Sequence, residues 1–290
     1  MRKPVLSLFP AIAVAATVLS AACLILPDVG ESDGWRTVPG RQKTAVTGKE
    51  FRRTLDLRAG GTLSLENDYG NVEITGWDRD SVEVVARSAA VERQRQRSAR
   101  EYSDRDLAPE VEILERSGGL LVRTPTFEGP GRPPAVDFKV RVPNSIDLTG
   151  IRISEGNLDI SDVFGRLEVS VDQGDLLVSN YSGPVRATVA TGNADIEVLD
   201  LREGDEITIT ARRGDIILRL ESGAGAIVEA DAPRGEVVSD FDLGKKLPAS
   251  AVKGWIGQGG PNVILRASEG RIEIVKIADG PTAAPAAQGK

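Results

Sequence analysis

Seven glycines organise most of this chain: Gly70, Gly156, Gly174, Gly192, Gly214, Gly235 and Gly270. From Gly156 to Gly235 they are spaced 18, 18, 22 and 21 residues apart. Counting from each glycine, the positions minus seven, minus five, minus three, plus two and plus four are apolar in 32 of 35 cases, against 40% hydrophobic residues overall. The three exceptions are Thr149, Asn67 and Ser239. An internal repeat of this kind constrains the fold more than any other feature of the chain.

On either side of each glycine the apolar residues alternate, which is the period of a half-buried strand. The alternation slips by one position at the glycine itself, as in VRATVATGNADIEVLDL (185–201). The chain therefore turns there and aims its next strand at the same interior. Glycine suits such a corner because it takes positive φ and has no Cβ. Each unit reads as strand, glycine corner, strand and second turn, the second turns being DVFG, NYSG, LREG and ESG.

Two all-β architectures fit. One is a β-solenoid, parallel β-helix-like, built from Gly-cornered repeats of about 20 residues. The alternative is an antiparallel β-sandwich or meander with a hairpin at each glycine. A type I′ hairpin asks for Asn, Asp or Gly before the glycine. That slot holds Tyr69, Glu155, Gln173, Thr191, Arg213, Arg234 and Glu269, which favours the solenoid. The slot after the glycine holds Asn71, Asn157, Asp175, Asn193 and Asp215 in five units, as stacked equivalent positions would. Asn can ladder there through its side chain, whereas stacked Asp residues would repel unless an exposed edge screens them.

The composition excludes several chemistries. The chain has no His, which removes the commonest general base near neutral pH and the commonest metal ligand. One Cys allows neither an intramolecular disulfide nor a cysteine-cluster metal site. Serine–histidine and cysteine–histidine nucleophiles cannot be assembled. A net charge of −7 and 4% aromatics argue against nucleic acid as a partner.

The N-terminus, MRKPVLSLFPAIAVAATVLSAAC, has a basic start at Arg2 and Lys3 and no charge from Val5 to Leu26. Residues 1–26 are expected to be a signal peptide or membrane anchor. Cys23 follows Ser20-Ala21-Ala22 and is a candidate lipidation site, although the branched residue expected before the small residues sits one place early, at Leu19. Lipidation, plain cleavage and an uncleaved anchor each place the rest of the chain outside the cytoplasm, in the cell envelope. Residues 27–50 read as a linker, 51–277 as the β-strand-repeat domain, 88–108 as a charged insertion, and 278–290 as a disordered tail of small residues.

GGTLSLENDYGNVEITGW (60–77), VDFKVRVPNSIDL (136–148), ATGNADIEV (190–198) and WIGQGGPNVILRASEGRIEI (255–274) together resemble a bacterial family known as "putative adhesins" with β-strand repeats, otherwise of unknown function. The resemblance covers roughly residues 50–277. It implies an exported or membrane-anchored protein with a β-helical fold, and it offers no catalytic residues to carry over. The family usually carries Asn or Asp before the repeat glycine, and this chain largely does not.

Other motifs have plainer readings. Arg213-Gly214-Asp215 spells RGD but occupies an ordinary repeat corner. Asn180-Tyr181-Ser182 has the form of a glycosylation acceptor, which means little in a bacterial-looking chain. Asp159, Asp175, Asp195 and Asp215 could line a groove and offer oxygens to Ca²⁺, but no Ca²⁺-binding nonapeptide repeat is present. Paired carboxylates could serve glycoside chemistry. Sugar clefts favour aromatic platforms, however, and of the three tryptophans Trp35 lies in the linker while Trp77 and Trp255 fit turn or stack-end packing. The expectation is a non-catalytic, membrane-associated envelope scaffold or adhesion module, with no cofactor, no metal and a protein or glycan partner. The alternatives are a carbohydrate-active β-helix enzyme and a sensory or regulatory ectodomain of an envelope-stress system. Unpaired strand edges at the stack ends make end-to-end self-association a further expectation.

Overall fold

The computed structural model describes residues 50–88, 110–125, 134–244 and 247–277. Cys23 and the expected signal or anchor segment, nearly all of the expected linker and charged insertion, and the expected tail lie outside the described residues. Among those described there is no helix; twenty strands form two ten-stranded mixed sheets.

In spatial order the first sheet contains β1 (Glu50–Asp56), β4 (Ser81–Ser88), β7 (Val136–Pro143), β3 (Val72–Trp77), β9 (Leu158–Ser161), β11 (Leu176–Ser182), β13 (Ala194–Asp200), β15 (Ile216–Glu221), β20 (Ile272–Ile277) and β17 (Val237–Ser239). The second contains β18 (Ala251–Ile256), β16 (Ala226–Asp231), β19 (Asn262–Glu269), β14 (Glu206–Arg213), β12 (Val185–Thr191), β10 (Leu167–Gln173), β8 (Asp147–Glu155), β2 (Thr62–Tyr69), β6 (Gly119–Arg123) and β5 (Glu112–Arg116). The strand before each repeat glycine lies in the second sheet and the strand after it in the first. The glycines are therefore corners between sheets, and the hairpin version of the repeat is not what forms. From β8 to β15 each strand pairs in parallel with the strand two places along the chain. Both sheets contribute to a single hydrophobic core.

All 32 apolar repeat residues are buried in that core. The three exceptions have local causes. At Thr149 the register slips: Leu63 pairs with Leu148 and Leu65 with Ile151, so two residues of β8 oppose one of β2. This bulge, with Gly150 at φ 70°, lets Leu148 take the inward place instead of Thr149. Asn67 is buried, and its Nδ2 donates to the carbonyls of Gly70 at 3.1 Å and Val136 at 3.0 Å. Ser239 lies in the outermost rung, where its hydroxyl accepts the Phe241 N–H at 3.0 Å and Phe241 enters the core.

The corners explain why glycine is required. A Cβ on Gly174 would lie 1.9 Å from the carbonyl oxygen of Gly156, and one on Gly192 would lie 2.0 Å from that of Gly174. The same approach recurs along the column, ending where a Cβ on Gly70 would lie 2.2 Å from the Val136 carbonyl. Six of the seven corners have positive φ, but Gly235 does not, and its Cβ would still lie 1.9 Å from the Gly270 oxygen. The decisive property is the missing Cβ; conformational freedom comes second.

The residue after the glycine forms a ladder of a kind different from the side-chain stack expected. The Oδ1 of Asn71, Asn157, Asp175, Asn193 and Asp215 each accepts the backbone N–H of the equivalent residue on the next rung, at 2.7–3.0 Å. Only an acceptor is needed, so Asn and Asp are interchangeable and carboxylates are not stacked against one another as competing charges.

Stacking order departs from chain order at both ends. β6 and β7 form a rung outside that of β2 and β3, with Val136 in the corner place and Asp137 Oδ1 accepting the Asn71 N–H at 2.8 Å. At the other end the Gly270 rung, last in sequence, is inserted between the Gly214 and Gly235 rungs. Antiparallel strands finish both ends: β4 and β1 beside β7, β5 beside β6, and β18 beside β16.

Candidate functional site

The repeat projects two sets of outward rows. On the first sheet, Lys139, Glu73, Asp159, Leu177, Asp195, Ile217 and Glu273 stand in register. Lys139 pairs with Glu73, and Arg219 pairs with Asp195. Partial burial pushes the Asp159 carboxyl above its ordinary range, and the neighbouring Glu73 charge adds to that. Around β1, β4 and β7, the residues Glu50, Arg52, Glu83, Arg87 and Arg141 form a continuous ion-pair network. The Arg87 and Arg52 hydrogen bonds hold the Glu50 carboxyl below its ordinary range. On the second sheet Arg152 pairs with Glu66 at 3.0 Å, while Lys253 and Arg266 flank Glu229 at 3.4 and 3.7 Å.

This geometry separates the four aspartates proposed as a groove. Asp159 and Asp195 lie on the outer face with Leu177 between them, whereas Asp175 and Asp215 belong to the corner ladder. Among the described residues no three of His, Cys, Asp and Glu form a metal-holding group. The RGD tripeptide is a working corner, with Gly214 in the glycine column and Asp215 accepting the Arg271 N–H. Tyr181 of the NYS motif is buried, its hydroxyl held between the carbonyls of Gly165 and Pro184. Burial drives its ionisation far above the ordinary tyrosine range.

The tryptophans divide. Trp77 fits its expected role: Nε1 donates to the Ser81 carbonyl at 2.8 Å, and the Arg79 and Arg141 guanidinium groups lie 4.9 and 5.8 Å from its ring centre. Trp255 does not pack a stack end. It is 66% exposed on edge strand β18 and projects from the outer face. The AVKGWI alternation contains the signal: Val252, Gly254 and Ile256 point inward, so Trp255 must point outward.

Trp255 begins a row across the second sheet. It is in register with Ile227, which is in register with Asn262, which is in register with Glu206. All four are exposed. Beyond them opens a cleft of about 590 Å³ whose lining includes Gly225, Gly259, Gly260 and Pro261 and the polar Glu203, Asp205, Glu206 and Asn262. No Lys or Arg lines it. This cleft was not legible beforehand because its walls come from the turn after β13 and the turn before β19, about 55 residues apart in a repeat that folds out of order.

No protein-family model matches the chain, and no curated protein matches it. Solved structures do. A Clostridium sporogenes protein named a "putative cell adhesion protein" superposes with a TM-score of 0.44 at 15% identity, covering 79% of this chain and 100% of its own. A "putative adhesin" from Bacteroides fragilis gives 0.29 at 11%, covering 79% and 97%. A "putative lipid binding protein" from Parabacteroides distasonis gives 0.26 at 11%, with the same coverage.

Proposed function

We propose that this chain is a non-catalytic interaction module of the cell envelope, built as a two-faced β-solenoid and held at a membrane through its N-terminus. The observation that carries the reading is the use to which the described residues are put. Repeat residues are spent on the core, the glycine column and the acceptor ladder, leaving two broad outer faces of paired charges and small polar groups. Such faces make many shallow contacts with a protein or glycan. Export rests on Arg2 and Lys3 followed by the uncharged stretch to Leu26, and anchoring on Cys23.

The test is fractionation of the full chain with and without Cys23→Ala, followed by crosslinking on intact cells. Membrane partitioning lost on substitution, with exposure to an impermeant reagent, is the expected result. A soluble cytoplasmic wild-type protein overturns the reading. Turnover of a glycan by the purified exported portion, lost with Glu206→Gln, would establish the enzyme alternative instead.

A further inference from the structure

We infer that the row Trp255–Ile227–Asn262–Glu206, with the cleft beside it, is a binding site for a neutral polysaccharide; this rests on the interaction-module reading and gives it a location and a ligand class. Three observations converge. First, Trp255 presents a largely free ring face, and Ile227 extends its apolar surface at 43% exposure. Large aromatics of this kind anchor interfaces. Second, the row continues into an amide and a carboxylate at strand spacing, spanning about 14 Å over three steps of about 4.8 Å. That is the length of a short run of sugar rings, with a stacking surface at one end and hydroxyl partners at the other. Three glycines line the cleft beside the row, and the Cβ position of Gly259 lies 3.9 Å from Ile227 Cγ1, which joins the cleft to the row.

Third, the charges select against anionic ligands. With no cation lining the cleft, an anionic glycan or phosphate has nothing to pair with. Of the bordering carboxylates, Glu206 accepts the Thr208 hydroxyl at 3.0 Å with Arg186 at 3.9 Å, Asp205 accepts the Arg202 backbone N–H at 2.8 Å, and Glu203 is exposed. All three can accept hydroxyl hydrogens.

The experiment titrates the full exported chain with cellohexaose and maltohexaose, with hexagalacturonate and hexalysine as controls, by calorimetry and tryptophan fluorescence. Saturable binding of a neutral hexasaccharide is expected, weakened about tenfold or more by Trp255→Ala and by a few-fold with Asn262→Ala. Trp255→Ala should leave the melting temperature unchanged, because the side chain is outside the core. Preference for hexalysine or hexagalacturonate, no binding of either neutral probe, equal binding by Trp255→Ala, or a concentration-dependent dimer abolished by Trp255→Ala would each overturn the inference. If cell-surface crosslinking succeeds while both neutral probes fail, the module reading stands and only this ligand assignment falls.

Discussion

The central rungs and the two ends of this molecule are built by different rules. From β8 to β15 chain order and stacking order agree, every corner is glycine, and an Asx acceptor passes each rung to the next. At the ends a rung is placed out of order, the pairing turns antiparallel, and polar residues enter repeat positions. The reason is neighbours. A central rung has a carbonyl of the adjacent rung pressed against its corner, so any Cβ collides. An end rung lacks that constraint on its outer side, which is why Val136 can stand in a corner place.

The ends also manage their edges differently from each other. On β1 and β5, Arg53 and Glu115 are in register with the inward-facing Val84 and Leu120. Charges on the interior side of an edge strand discourage another chain from pairing there. The opposite end is covered by its own chain. Phe241 and Leu243 are buried, Leu247 and Ala249 pack on the core, and a Cβ on Gly254 would lie 2.3 Å from the Leu243 carbonyl. Trp255 and Ile227 remain exposed apolar residues near that end.

The comparison can be broken most decisively at the C-terminus. Ending the chain after Gly260 removes β19 and β20, which lie inside the stack. Four large buried side chains, Val263, Leu265, Ile272 and Ile274, are lost, worth roughly 6–12 kcal/mol of burial. The expected outcome is global loss of the cooperative melt, since whole-domain stability is only about 5–15 kcal/mol. Simple trimming, with the β8–β15 amides still protected from hydrogen exchange, would contradict the stacking order. Val189→Asp buries an unpaired charge in a central rung and should cost more than about 4 kcal/mol, whereas Glu197→Lys on the outer face should cost under about 1 kcal/mol in the same chemical denaturation.

A finer contrast uses two positive-φ glycines. Gly192→Ala drives a Cβ to 2.0 Å from a carbonyl and should cost about 3 kcal/mol or more, while Gly118→Ala, in the β5–β6 turn with nothing within 4 Å, should cost about 1 kcal/mol. Equal losses would remove the close-approach explanation. In the ladder, Asp175→Asn should be neutral and Asp175→Ala should cost about 1 kcal/mol, because only the second leaves the Asn193 N–H without its acceptor. The smallest effect is electrostatic. The Asp159 carboxyl is raised, so the folded state holds its proton more tightly than the unfolded chain, and its ionisation destabilises the fold as pH rises through the ordinary aspartate range. Asp159→Asn should therefore stabilise slightly near neutral pH, and the gain should vanish in acid; a gain that persists in strong acid, below the ordinary aspartate range, would point elsewhere.

Much of the scaffold was legible because burial has a period. Val189, Ile196 and their equivalents announce the inward face, and the slip at Gly192 announces the corner. The β6–β7 rung was not legible as a repeat, since Val136 replaces the glycine and 12 residues of sequence separate its strands. The site was half legible: parity sends Trp255 outward, but nothing local places Asn262 and Glu206 beside it.

By itself the sequence determined which side chains are buried and where the chain must turn, because alternation and a missing Cβ act over a few residues. Only the tertiary structure decided the order in which rungs stack, the wedging of the last rung inside the one before it, and the row that Trp255 begins. Those depend on which strand edges are free when a distant segment arrives, and pairing between strands that are interchangeable in pattern leaves no local trace.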